Sequence, residues 1–192
     1  MAQLLGRESV IALEEPFYSP IRQVYEAQGI RCEGLALGED GIPDGELERA
    51  TGRVLHVTPY HSFPSGVTAT AAKRHEYAAW ARERNAYIVE DDYASELFVS
   101  ARQVDTVFSL APERTIYMNT FSKTLAPSMR TAYMVLPEAL LPEYEKKLGF
   151  YSCTVPVFDQ IVLAEFIRGG DLERYINRRR RRLRQQMQKA GG

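Results

Sequence analysis

Lys123 stands in the segment Thr120-Phe121-Ser122-Lys123-Thr124-Leu125, directly after a run with strand character, and Arg130 follows seven residues later. A lysine amine at a strand end, among small hydroxyl residues, is placed to condense with an aldehyde as a Schiff base. A nearby guanidinium offers the planar fork of donors that suits a dianionic phosphate. The same residues also read as an exposed loop lysine with an unrelated arginine, and the segment alone does not choose between the two.

A second segment, Glu90-Asp91-Asp92-Tyr93, closes another apolar run. Open parallel sheets take ligands beyond the carboxyl ends of their strands, so carboxylates here are expected to face a site rather than the core. Taken singly, an acidic pair after a strand is more often a helix N-cap or a solvated turn. The third segment, Tyr60-His61-Ser62-Phe63-Pro64-Ser65-Gly66, also follows a predicted strand.

These segments need a scaffold, and the hydropathy pattern supplies one. Ser9-Val10-Ile11-Ala12-Leu13, Arg53-Val54-Leu55-His56-Val57-Thr58, Ala86-Tyr87-Ile88-Val89-Glu90, Thr115-Ile116-Tyr117-Met118-Asn119 and Thr131-Ala132-Tyr133-Met134-Val135-Leu136 read as buried strands. Several are apolar on both faces, as strands covered by helices on each side would be. Helical spacing runs over 19–28, against Gly29, and over 68–84. The fold class expected is α/β, a mainly parallel sheet with helices on both faces. From 156 onward one long helix, the pair Gly169-Gly170 and a second helix are expected, as trailing C-terminal helices. The second helix carries Arg178-Arg179-Arg180-Arg181-Arg182, flanked by Arg174 and Arg184. Such a run reads as a solvated helix leading out of the domain or as a contact for phosphate or nucleic acid.

Composition narrows the function classes. The 24 basic and 25 acidic residues among 192 leave a formal charge of -1, so no global field would hold a polyanion or coat an acidic membrane. Hydrophobic residues at 45% and charged residues at 26% fit an ordinary globular domain rather than a disordered or fibrous chain. Cys32 and Cys153 lie far apart with no metal-ligand spacing around them, so neither a disulfide framework nor a structural zinc is expected. No stretch approaches the roughly 18 apolar residues of a membrane span, and no basic segment precedes an apolar run at the N-terminus. A cytoplasmic location is expected.

Together the three segments resemble the fold type I pyridoxal-phosphate superfamily, that of aspartate aminotransferase. Within it the chain is most similar to the aminotransferase-like domain of MocR-type regulators of the GntR class. Those regulators carry a Pro-x-His-x-aromatic-Pro-Ser/Thr-Gly segment, then Glu-Asp-Asp-Tyr, then Thr-Phe-Ser-Lys-Thr-Leu, an order this chain reproduces. The resemblance covers roughly 4–184. It implies pyridoxal 5'-phosphate as cofactor, with Lys123 as its Schiff-base lysine and Asp91 as the carboxylate pairing with the pyridine nitrogen. It further implies that Tyr93 bonds the cofactor's 3-oxygen, that Tyr18 stacks over the ring, and that Arg130 binds the phosphate beside Thr120 and Ser122.

Free aminotransferases of the superfamily usually place Asn before the Pro-Ser/Thr-Gly, where this chain has Phe63; His61 could replace part of that polar contact. Phe63 favours the regulator branch. Pro20 stands where the best-known regulator has an effector-binding arginine, so the effector stays open, and Arg22 on a helix would point elsewhere. The resemblance implies a large cofactor domain over 1–155, lacking its N-terminal phosphate loop, and helices over 156–192 leading toward a small C-terminal domain. It also implies a homodimer, an amine or amino-acid effector bound by transaldimination on Lys123, and DNA binding only through a winged-helix segment lying upstream. Two alternatives stand beside this: a working pyridoxal-phosphate-dependent transaminase, and a truncated fold without a competent cofactor site.

Overall fold

The computed structural model describes residues 1–6, 9–93, 95–97 and 105–190. Along the chain run α1 (Ala2–Leu5), β1 (Val10–Glu15), α2 (Ser19–Ala27), β2 (Arg31–Ala36), α3 (Asp44–Arg49), β3 (Val54–Val57), α4 (Ala71–Glu83) and β4 (Tyr87–Asp91). There follow α5 (Val107–Leu110), β5 (Thr115–Thr120), α6 (Phe121–Thr124), β6 (Ala132–Val135), α7 (Leu141–Leu148), α8 (Val157–Arg168) and α9 (Asp171–Ala190). The fold is α/β, as the alternation of short apolar runs and helical patterns implies.

The strands form one six-stranded sheet in the order β2-β1-β3-β4-β5-β6. The pairs β1·β2, β1·β3, β3·β4 and β4·β5 are all parallel. Side chains alternate between faces along each strand. Ala12, Leu55, Val57 and Ile88 therefore meet Tyr77, Ala78, Trp80 and Ala81 of α4 on one face. Ile11, Leu13, Val54, Val89 and Ile116 meet Tyr25 of α2 on the other. Each face withdraws apolar area from water, which stabilises by roughly 25 cal/mol per Å².

Local chemistry sets the helix limits. Thr70 caps α4, its hydroxyl accepting from the Lys73 amide at 3.3 Å. Pro20 sits in the first turn of α2, and Gly29 just beyond its end takes φ 77, the left-handed conformation that glycine adopts without a Cβ clash. The sequence pattern does not single out β2; Arg31-Cys32-Glu33-Gly34-Leu35-Ala36 buries fully only Leu35, as an edge strand with one solvated face does.

By compactness the described chain has two units. One comprises 1–93, 105–119 and 133–151, and holds most of the sheet; the other comprises 95–97, 120–132 and 152–190. In the second unit α9 is not simply a solvated helix leading away. Arg179 donates to the Lys123 and Thr124 carbonyls at 3.2 and 2.9 Å, and Arg180 to the Glu96 carbonyl at 2.7 Å. Arg178, Arg181 and Arg182 stay exposed.

Candidate functional site

The strand order reverses at β1, which lies between β2 and β3 although β2 follows it in the chain. Such a switch point opens a crevice between the segments leaving the two neighbouring strands. Tyr18 lies just after β1, and the turn 59–66 follows β3. Tyr18 is 46% exposed and its ring meets that of Phe63 edge-on at 5.8 Å between centroids. It is a surface aromatic.

The turn is closed on itself. The Ser62 amide donates to the Val67 carbonyl at 2.8 Å, the Ala69 amide to the Pro59 carbonyl at 2.9 Å, and the His61 amide to the Thr68 hydroxyl at 3.1 Å. His61 holds a left-handed backbone, φ 56, with its side chain exposed. Its carbonyl accepts from the Tyr93 hydroxyl at 2.5 Å. Burial, then the charges of Asp91 and Glu14, push that phenol up from its ordinary value.

Of the three acids, only Asp91 is partly exposed. Glu90 and Asp92 are fully buried, which corrects the expectation that all these carboxylates face a ligand. Strand alternation sends Glu90 into the α4 face, where it accepts from the Val107 and Phe108 amides at 3.0 and 2.7 Å. Burial, outweighing those bonds, pushes its carboxyl up to about 7. Asp92 accepts from the Tyr117 hydroxyl at 2.7 Å.

Asp91 ends β4 on the opposite face, partly exposed, with His56 Nε2 at 3.9 Å from its Oδ2. His56 is 1% exposed and that nitrogen has no hydrogen-bond partner in the described structure, while Nδ1 lies 2.9 Å from the Tyr25 hydroxyl. A phenol donating to Nδ1 leaves the proton on Nε2, facing the carboxylate. Tyr25, His56 and Asp91 thus form a line from α2 through β3 to the end of β4, presenting an anion whose outer oxygen can pair with a cationic ring nitrogen.

In the second unit, Thr120 caps α6, its hydroxyl accepting from the Ser122 amide at 3.2 Å. The Ser122 hydroxyl donates to the Met129 carbonyl at 2.7 Å and accepts from Arg130 at 3.3 Å. Arg130 and Lys123 are exposed, the lysine on a helix whose last carbonyls Arg179 satisfies. Lys123, Thr120, Ser122 and Arg130 therefore lie together in one unit. Tyr18, His61, Asp91 and Tyr93 lie in the other. Arg22 pairs with Glu15.

The model of class I and II aminotransferases matches residues 1–192. The chain belongs to that family. Among curated relatives, the HTH-type transcriptional regulator YhdI of Bacillus subtilis is 35% identical over 88% of the chain and 36% of its own length. The probable rhizopine catabolism regulatory protein MocR of Rhizobium meliloti is 31% identical over 94% and 37%. Among solved structures, the α-aminoadipate aminotransferase LysN of Thermus thermophilus, complexed with N-(5'-phosphopyridoxyl)-L-leucine, superposes with a TM-score of 0.79 at 30% identity, over 93% of the chain and 48% of LysN. The chain thus spans between about a third and a half of these relatives' lengths. Among the described residues, no helix is long and apolar enough to cross a membrane.

Sequence reasoning missed His56, Tyr25 and Glu14. A histidine interrupting an otherwise apolar strand was the available signal for His56; nothing local marks the other two.

Proposed function

We propose that this chain is the cofactor-binding part of an aminotransferase-like, effector-sensing domain of a MocR/GntR-type transcriptional regulator, with pyridoxal 5'-phosphate as cofactor. The observation that carries the reading is Asp91 at the carboxyl end of β4, backed by the unpartnered Nε2 of buried His56. Each unit by itself carries residues whose chemistry fits part of the cofactor. Asp91 would pair with its ring nitrogen, Tyr18 would cover its ring, and Tyr93, released from the His61 carbonyl, would bond its 3-oxygen. Arg130, with Thr120 and Ser122, would hold its phosphate, and Lys123 would take its aldehyde carbon. When bound, the group supplies an aldehyde for Schiff-base chemistry and an electron-withdrawing ring.

An amine or amino-acid effector would displace the Lys123 nitrogen from the aldehyde carbon, and the freed lysine would take the proton that the effector's amine gives up. Release of the Lys123 side chain would then bias the domain between two states. The regulator reading rests on the likeness to YhdI and MocR and on Phe63, which presents a ring where a polar amide could bond the cofactor. The likeness to LysN favours a second reading, a working transaminase. A homodimer and a cytoplasmic location complete the proposal, with 1–155 as the cofactor domain and DNA contact assigned to a winged-helix segment elsewhere in the protein.

The test incubates the chain and Lys123→Ala with pyridoxal phosphate, reduces with borohydride and maps the peptides. A reduced adduct on Lys123, absent in the variant, is expected; an equal signal in both overturns the reading. Addition of amino acids then separates the branches. Conversion of the bound cofactor to its amine form marks a transaminase, and a spectral change without conversion marks a sensor.

A further inference from the structure

Glu14 ends the buried part of β1 and is only 2% exposed, yet no role above uses it. Strand alternation places it on the same face as Ala12, under the turn 59–66. Its carboxyl accepts from the Ser62 hydroxyl, with the Thr58 amide and hydroxyl as further donors. Ser62 is itself buried, and its two neighbours carry the contacts that shape the crevice: the His61 carbonyl holds the Tyr93 hydroxyl, and the Phe63 ring meets Tyr18. His61 also keeps a left-handed backbone. A non-glycine residue persists there only where its surroundings hold it.

We propose that Glu14 is a positioning residue for the aromatic side of the site: by fixing Ser62 it sets where Phe63 meets Tyr18 and where Tyr93 is held. What the turn serves rests on the cofactor reading above; how it is held does not. The groups that bear on Glu14 electrostatically are Asp91 on β4, Tyr93 just after it and Tyr77 on α4. Burial raises its carboxyl to about 7, and the Asp91 charge adds to that. With rising pH the carboxylate forms out of water and beside another anion, a cost that its few donors do not offset, and lifting the turn to admit water relieves it.

Hydrogen exchange of the unliganded chain, read by mass spectrometry over peptides covering 58–68, tests the anchoring at pH 6 and pH 8. Ser62→Ala, which removes one oxygen, is expected to raise exchange there at least several-fold at pH 6. Wild type is expected to exchange faster at pH 8 than the intrinsic pH effect explains. Glu14→Gln, which keeps an acceptor for Ser62 and cannot ionise, is expected to remove that excess. Pyridoxal phosphate affinity should follow: tenfold or more weaker in Ser62→Ala, with the ratio of Glu14→Gln to wild-type affinity rising from pH 6 to pH 8. Unchanged exchange in Ser62→Ala overturns the anchoring. Raised exchange with unchanged affinity overturns the positioning role. A wild type that forms no Lys123 adduct overturns the cofactor reading, and the exchange comparison still decides the anchoring.

Discussion

Replacing Glu90 by Gln should change how the stability of the sheet-bearing unit depends on pH. The Glu90 carboxyl is fully buried, and burial raises it from 4.5 to about 7. An unfolded chain loses this proton near 4.5, while the folded chain keeps it until about 7. Between those values the unfolded state binds fewer protons, so stability falls as pH rises and levels off above 7. The difference between those two values is worth about 3 kcal/mol in all, most of it between pH 5 and pH 8. Gln cannot ionise and keeps a carbonyl for one of the Val107 and Phe108 amides, at a pH-independent cost of about 1 kcal/mol for the other. Relative to wild type, the variant should therefore gain about 2–3 kcal/mol from pH 5 to pH 8, whatever other groups contribute to both profiles. Urea unfolding followed by tryptophan fluorescence measures this. The single tryptophan, Trp80, is buried in the same unit, its indole donating to the Leu47 carbonyl at 3.0 Å. Parallel profiles for wild type and variant would refute the assignment of a buried, proton-bearing Glu90.

His56→Leu removes the imidazole that stands 3.9 Å from Asp91 and partners Tyr25; pyridoxal phosphate affinity should fall several-fold, about 1 kcal/mol for the lost polar contact. Titration of the chain with the cofactor measures it, and an affinity equal to wild type would count against the Tyr25–His56–Asp91 line. Arg179→Ala leaves the Lys123 and Thr124 carbonyls without their donor, so α6 should lose about 1–2 kcal/mol of local stability. Hydrogen exchange over 121–126 reads this, and unchanged protection would show that the arginine is as solvated as its neighbours.

The apolar runs and their spacing determined the α/β class by themselves, because periodicity reports which face of an element leaves water, and five of the six strands match those runs to within two residues at either end. β2 escaped because an edge strand buries too few side chains to leave a signal. Motif spelling likewise placed Lys123 and Arg130 beside Thr120 and Ser122 in one local stretch, where the chain is nearly its own context. Tertiary structure alone decided which acid of Glu90-Asp91-Asp92 is presented outward, since the strand's register against α4 and α5 buries Glu90 and the Tyr117 hydroxyl takes Asp92. It alone decided that Arg179 and Arg180 cap distant carbonyls while Arg178 and Arg181 stay in water. It alone brought Tyr25 to His56 and Ser62 to Glu14, pairs separated by 31 and 48 residues. Burial of a polar group depends on what the rest of the chain packs around it, and that is not written in the neighbours along the sequence.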